Sequence, residues 1–234
     1  QLVSAAPVVA DLLAAAPQLK IITSSRIALK VQGEREVPIP PLDVPTREAT
    51  LEELNGFESV RLFVERARAT QPNFSLTKDN ASFVAEICLR LDGLPLALEL
   101  AAARVKLLSP QAILSRLDDQ LKLLTGGARD LPTRHQTLRN TLEWSYGLLN
   151  EDEKKLYARL SVFVGGFTLE AAEAVCNPDG NLDILDGITS LVNNSLLRQE
   201  ETPDGEPRFG MLETIRAYAV ERLAASGEME TLRA

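Results

Sequence analysis

The sequence predicts a mainly α chain with a few short strands, and three observations carry that expectation. Aromatic residues make up only 5% of the chain against 45% hydrophobic overall, so its cores must be built from Leu, Ala, Val and Ile, which favours helices. Apolar residues recur at helical spacing from Phe57 onward. The strand-like runs are short, and the clearest pair flanks the turn-rich segment Thr202-Pro203-Asp204-Gly205-Glu206-Pro207.

Taken in order, Ser4 can cap a helix carrying Val8, Val9, Leu12 and Leu13 that ends near Pro17. Leu19 to Ser24 is a short apolar run, rich in β-branched residues and bounded by polar ones, and reads as a buried strand. Glu36 to Pro41 reads as a second strand, confined to an edge because its prolines cannot donate to a ladder. One helix and two strands look like the last units of an α/β domain. Pro40 to Leu51 reads as a linker.

Helices follow over Phe57–Ala69, from a Thr77 cap to a C′ glycine at Gly93, from Leu94-Pro95 to Val105, and from Ser109-Pro110 through Leu117. They predict a four-helix unit over about 55–125. Gly126-Gly127-Ala128 and Leu131-Pro132 mark a second boundary. Beyond it, helices are expected at Thr137–Tyr146, Glu151–Leu160, Leu169–Val175 and Ile184–Asn194. Strands at Ser195–Glu200 and Arg208–Leu212 and a helix over 213–226 ending at Gly227 complete the series. Helices, then a hairpin, then a helix is the order of a winged-helix variant.

At 234 residues the chain allows one large domain or two to three small ones. Its net charge of −8 is uneven: residues 1–130 hold 15 Lys+Arg against 16 Asp+Glu, and residues 131–234 hold 10 against 17. An acidic C-terminal half is a poor partner for a phosphate backbone. Two cysteines far apart in sequence, Cys88 and Cys176, read as reduced, buried small hydrophobes of a cytoplasmic protein, and no C-x-x-C spacing suggests a metal. The apolar opening lacks a basic flank and is broken by Asp11, so it reads as an amphipathic helix and not a signal peptide. No run approaches the roughly 18 apolar residues needed to span a membrane. The start at Gln1 and the helix-like end at Thr231–Ala234 suggest a segment of a longer protein.

Few residues invite chemistry. Arg26 follows the strand expected at 19–24, where ligands of open α/β sheets gather and a guanidinium can fork onto phosphate. Without further context the same residue reads as a surface Arg. Gly93-Leu94-Pro95-Leu96-Ala97-Leu98 is explained structurally as a tight helix–helix corner, with Asp92 beside it a solvated helix-end residue. His135, the single histidine, cannot pair with another to hold a metal and reads as a surface or capping residue. Leu182–Asp186 mimics a strand ending in an Mg²⁺-binding Asp, but Ile188, Leu191 and Val192 continue a helical face. Trp144, Leu142, Leu148 and Leu149 read as core.

Three stretches in sequence order, Ile21–Arg26, Gly93–Leu98 and Phe209–Glu213, together resemble the back half of an NB-ARC-type STAND ATPase, the nucleotide-operated switch of many large bacterial regulators. The front half has no counterpart, since no Gly is followed by Lys and the G-x-x-x-x-G-K-[ST] loop cannot occur. The resemblance implies a nucleotide-binding-domain remnant at 1–45, a helical subdomain at 55–125, a winged-helix subdomain at 130–227, and the start of a following helical, tetratricopeptide-like region at 228–234. It casts Arg26 as the sensor arginine on the terminal phosphate and Gly93, Leu94 and Pro95 as the corner on the nucleotide base. Glu213 stands at the acidic position of a Met-His-Asp motif whose His is here Leu212, so that histidine's role does not carry over.

By the same resemblance the parent protein binds ATP or ADP with Mg²⁺, while this chain alone binds neither tightly and is inactive. Its partners would be the missing nucleotide-binding half, a C-terminal sensor domain and, on activation, further copies. Two other classes stay open. One is a winged-helix DNA-binding transcriptional regulator, which would need a Lys/Arg-rich reader helix; the best candidate, Leu169–Val175, has Glu170 and Glu173 and no base. The other is a purely structural interaction module.

Overall fold

The computed structural model describes residues 5–25, 28–46, 48–117, 123–124, 137–178, 180–201, 206–230 and 232. Helix α1 spans Ala6–Ala15, with Pro7 in its first turn where a missing N–H costs little, and it buries none of its residues. The Ser4 cap lies outside the described residues.

The two strands expected next are not formed. Residues 19–25 and 36–41 have no regular structure, and Ile22 is 97% and Ile39 87% exposed. A strand's N–H and C=O groups need a ladder partner, and the two strands among the described residues pair only with each other. β-propensity without a neighbour does not make a sheet, and the described residues form no α/β layer.

Residues expected as a linker are instead fastened down. The Leu42 N–H donates to Gly93 O at 3.1 Å, and Asp43 O accepts from both Ser59 N–H (3.3 Å) and Ser59 Oγ (2.6 Å). Thr50 and Glu53 form a capping box that starts the short helix α2 (Leu51–Leu54). Helix α3 (Glu58–Thr70) buries Val60, Phe63, Val64 and Ala67. Helix α4 (Ala81–Arg90) begins later than its expected Thr77 cap, because Thr77 and Asn80 close a turn first: the Thr77 N–H donates to Asn80 Oδ1 and Thr77 O accepts from Ala81.

Helix α5 (Pro95–Ala103) runs into a 3₁₀ turn at Arg104–Lys106, and α6 (Pro110–Leu114) is capped by Ser109 Oγ on Ala112 N–H. Helix α3 packs on α5 and α4, and α4 packs on α6.

The second helical group begins with α7 (Leu138–Tyr146), capped by Thr137, and α8 (Glu151–Leu160), opened by an Asn150–Glu153 capping box. Helices α9 (Leu169–Cys176) and α10 (Ile184–Asn193) are capped by Thr168 and Asp183. Strands β1 (Arg198–Glu201) and β2 (Pro207–Gly210) pair antiparallel with Arg198 opposite Gly210, and Phe167 adds a bridge to Phe209. Helix α11 (Glu213–Ser226) ends at Gly227, whose left-handed φ of +78° closes it as expected.

Helix α8 is the hub of this group and packs against α9, α10 and α11. Its Tyr157 hydroxyl donates to Ile215 O at 2.9 Å. Trp144 and Leu148, expected as core, are 38% and 46% exposed, while Leu142, Ser145 and Leu149 turn inward. The burying face of α7 runs one step beside the tryptophan.

A continuous apolar cluster threads both groups, yet each extensive packing of one helix on another stays within a single group. Among the described residues no helix is long and apolar enough to cross a membrane.

Candidate functional site

Two of the singled-out stretches meet where the groups adjoin. The end of α4 explains one side. The Asp92 N–H donates to Leu89 O at 3.0 Å and the Gly93 N–H to Cys88 O at 3.2 Å, the paired bonds of a Schellman cap. The left-handed C′ place, expected for Gly93, is taken by Asp92 at φ +52°, with Gly93 following at +64°. Asp tolerates this region better than most side-chain-bearing residues. Gly93 is needed for a second reason, because a Cβ there would run into the carbonyl of Leu42.

Pro95 then opens α5 and is exposed, with Leu94 half-buried before it.

The head of α11 forms the other side. Its N-cap residue is Leu212, whose side chain cannot accept a hydrogen bond, so the helix has no cap of its own. Asp92 supplies one from 122 residues away: its Oδ2 accepts from the Thr214 N–H at 3.4 Å. The Glu213 N–H also favours the charged carboxylate, as does Arg198 on β1, while the Glu213 carboxylate opposes it. Burial outweighs these and pushes the Asp92 carboxyl up to about 6. Glu213 is held by a fork from Arg216, at 2.8 Å from Nε and 2.6 Å from Nη2. Thr214 Oγ1 is buried and has no hydrogen-bond partner.

The structure thus brings Gly93, Leu94 and Pro95 to the same junction as Glu213, while Arg26 and His135 lie outside the described residues. Asp92 was expected to be solvated and is instead the pin between the two stretches. Two sequence signals mark it: an Asp preceding Gly at a helix end, and an apolar residue standing where α11 needs a cap.

Helices α9 and α10 are the two that precede the hairpin, the order of a winged helix-turn-helix, in which the second helix, next to the wing, is the one that reads DNA. The reader position is therefore α10, not the Leu169–Val175 helix. Its exposed residues are Leu185, Asp186, Thr189 and Asn193, with Asp183 at its cap. No Lys or Arg occurs between Arg159 and Arg198, a stretch that holds Glu170, Glu173, Asp179, Asp183 and Asp186. Arg198 and Arg208 are the cations of the hairpin, and Arg208 Nη2 donates to Gly166 O at 3.3 Å.

Cys88 and Cys176 are free and buried, each thiol pushed up to about 12 chiefly by that burial, as expected for inert core residues. Among the described residues no cluster of His, Cys, Asp and Glu could hold a metal ion.

Comparison with known proteins locates this geometry. Residues 149–224 match the family described as "Winged helix-turn-helix domain". The chain is 42% identical over 228 residues to the Mycobacterium tuberculosis protein named "Putative HTH-type transcriptional regulator Rv0890c" and, equally, to the Mycobacterium bovis protein of the same description, Mb0914c. These alignments cover 96% of this chain and 24% of the relatives. It is also 38% identical over 232 residues to "Uncharacterized protein Rv0894" of Mycobacterium tuberculosis, covering 98% of this chain and 56% of that one. The chain therefore spans about a quarter of the length of the named regulators. No solved structure matches it significantly. The chain carries a winged helix-turn-helix domain over residues 149–224 and is homologous to proteins named as HTH-type transcriptional regulators.

Proposed function

We propose that the chain is a segment of a larger transcriptional regulator, in which the winged helix is a regulatory unit docked on the neighbouring helical group. The winged helix-turn-helix domain carries this reading, and the relatives named as regulators favour it over the nucleotide-operated switch. Within that class, charge argues against the domain itself gripping DNA. Affinity for a duplex draws on Lys and Arg neutralising phosphates, and α9 and α10 with their connecting loops offer only carboxylates. Docking against protein suits this surface better. The test is promoter occupancy by the intact protein in its own cells, with transcription compared after its gene is deleted. Occupied promoters whose output changes on deletion are expected; an intact protein found at no promoter would overturn the reading.

A second reading is favoured by the convergence of the corner at Gly93, Leu94 and Pro95 with the helix head at Glu213. Under it the intact regulator is also an ATP/ADP switch, with Mg²⁺ and the phosphate-gripping loop supplied by residues outside this chain. Arg26→Ala in the intact protein should weaken ATP relative to ADP by about 1.5–3 kcal/mol, the worth of a charge-assisted phosphate contact. Equal ATP and ADP affinities in wild type and variant would return Arg26 to an ordinary surface residue. The chain alone should not hydrolyse ATP, because phosphoryl transfer depends on positioned phosphates and metal.

A further inference from the structure

The joint between the two helical groups includes a side-chain pin of unusual origin. Extensive helix–helix packing lies inside each group, while the groups share one apolar cluster and meet at the Asp92 corner. Between the groups the Thr214 N–H donates to the carboxyl group of Asp92, a residue in the left-handed backbone region that side-chain-bearing residues seldom adopt. The same carboxylate is the cap that α11 lacks. A helix head capped from its own chain neighbourhood would be indifferent to the other group. This one is not.

We propose that Asp92 is a releasable joint: its carboxyl group, accepting the Thr214 N–H, seats the winged helix on the helical group, and removing or ionising that group loosens the seat. The proposal rests on the reading of the winged helix as a docked regulatory unit and names the residue that regulates it. The charged groups facing Asp92 are Arg198 from β1 and Glu213 from α11.

The proton linkage has a definite sign. In this junction burial raises the Asp92 carboxyl from an ordinary 3.8 to about 6, so the assembled junction binds the proton more tightly than a solvated Asp does. The contribution to docking is fully present below 3.8 and is lost as pH rises through about 6. Acidification from pH 7.5 to 5 should therefore tighten the joint.

The test is a distance measurement on this chain, spin-labelled at Leu107→Cys in the helical group and Ala174→Cys in the winged helix, both exposed. The buried native thiols stay unlabelled. Wild type should give a distance distribution that narrows between pH 7.5 and 5. Asp92→Gly keeps the left-handed backbone but removes the carboxylate, and should broaden the distribution at least twofold at both values. Asp92→Asn keeps a side chain that tolerates the same φ, and should abolish the pH response. Wild-type distances with a wild-type pH response in both variants would overturn the joint. Promoter occupancy is read separately, so failure of the joint and failure of the regulator reading are distinguishable.

Discussion

Asp92 and Gly93 do different work although both have positive φ. Gly93 is a steric requirement: its neighbour is the Leu42 carbonyl, and its own carbonyl accepts the Leu42 N–H. Gly93→Ala should cost about 2 kcal/mol or more, from left-handed strain together with displacement of the 42–44 segment. A thermal melt checks this, and an unchanged Tm would mean that the close approach is not maintained. Arg159 is a second buried residue with a definite role. Its side chain is 8% exposed, its Nη1 donates to Cys176 O at 2.7 Å, and Nε and Nη2 fork onto Glu228 at 2.9 Å each. That guanidinium holds the Glu228 carboxyl below its usual 4.5. A depressed folded value means stability that is present above the unfolded pKa and is lost as pH falls through the folded one. Glu228→Gln should therefore cost about 1–3 kcal/mol at pH 7. The cost should shrink below pH 4.5 in denaturant titrations; a deficit independent of pH would point to packing instead of charge.

The helices of both groups were legible because their signals are local. Thr137, Asn150 and Thr168 each cap a helix close to where the apolar spacing places it, and each side chain accepts a backbone N–H of the first turn. Asn150→Ala should accordingly lower stability by about 1 kcal/mol with no change of fold, read as a small Tm shift with unchanged circular dichroism. The runs at 19–24 and 36–41 misled for the complementary reason. A strand is a pairing, and Leu19–Ser24 has β-branched residues but no partner beside it. The Leu169–Val175 helix is the expected reader from sequence, whereas in the order of elements α10 is the helix next to the hairpin. Asp92 was missed because its acceptor role depends on Thr214, far off in sequence, although Leu212 in the cap position of α11 hints that the cap comes from elsewhere.

At the scale of the whole molecule, a helix-turn-helix flanked by carboxylates adjoins a helical group along a shared apolar cluster and at the half-buried Asp92. Shape alone would make the winged helix a DNA reader, but a fold does not fix its use. Between Arg159 and Arg198 there is no cation to neutralise a phosphate, and Arg198 and Arg208 are the cations that the hairpin itself would bring to a duplex. The most direct test is the affinity of the intact protein for its promoter DNA across a salt series, before and after Arg198→Ala and Arg208→Ala are made together. A docked winged helix predicts the same affinity and the same slope of log K on log salt in both proteins. A marked loss of affinity, with the slope shallower by about 2, would put both arginines on phosphates and contradict the account.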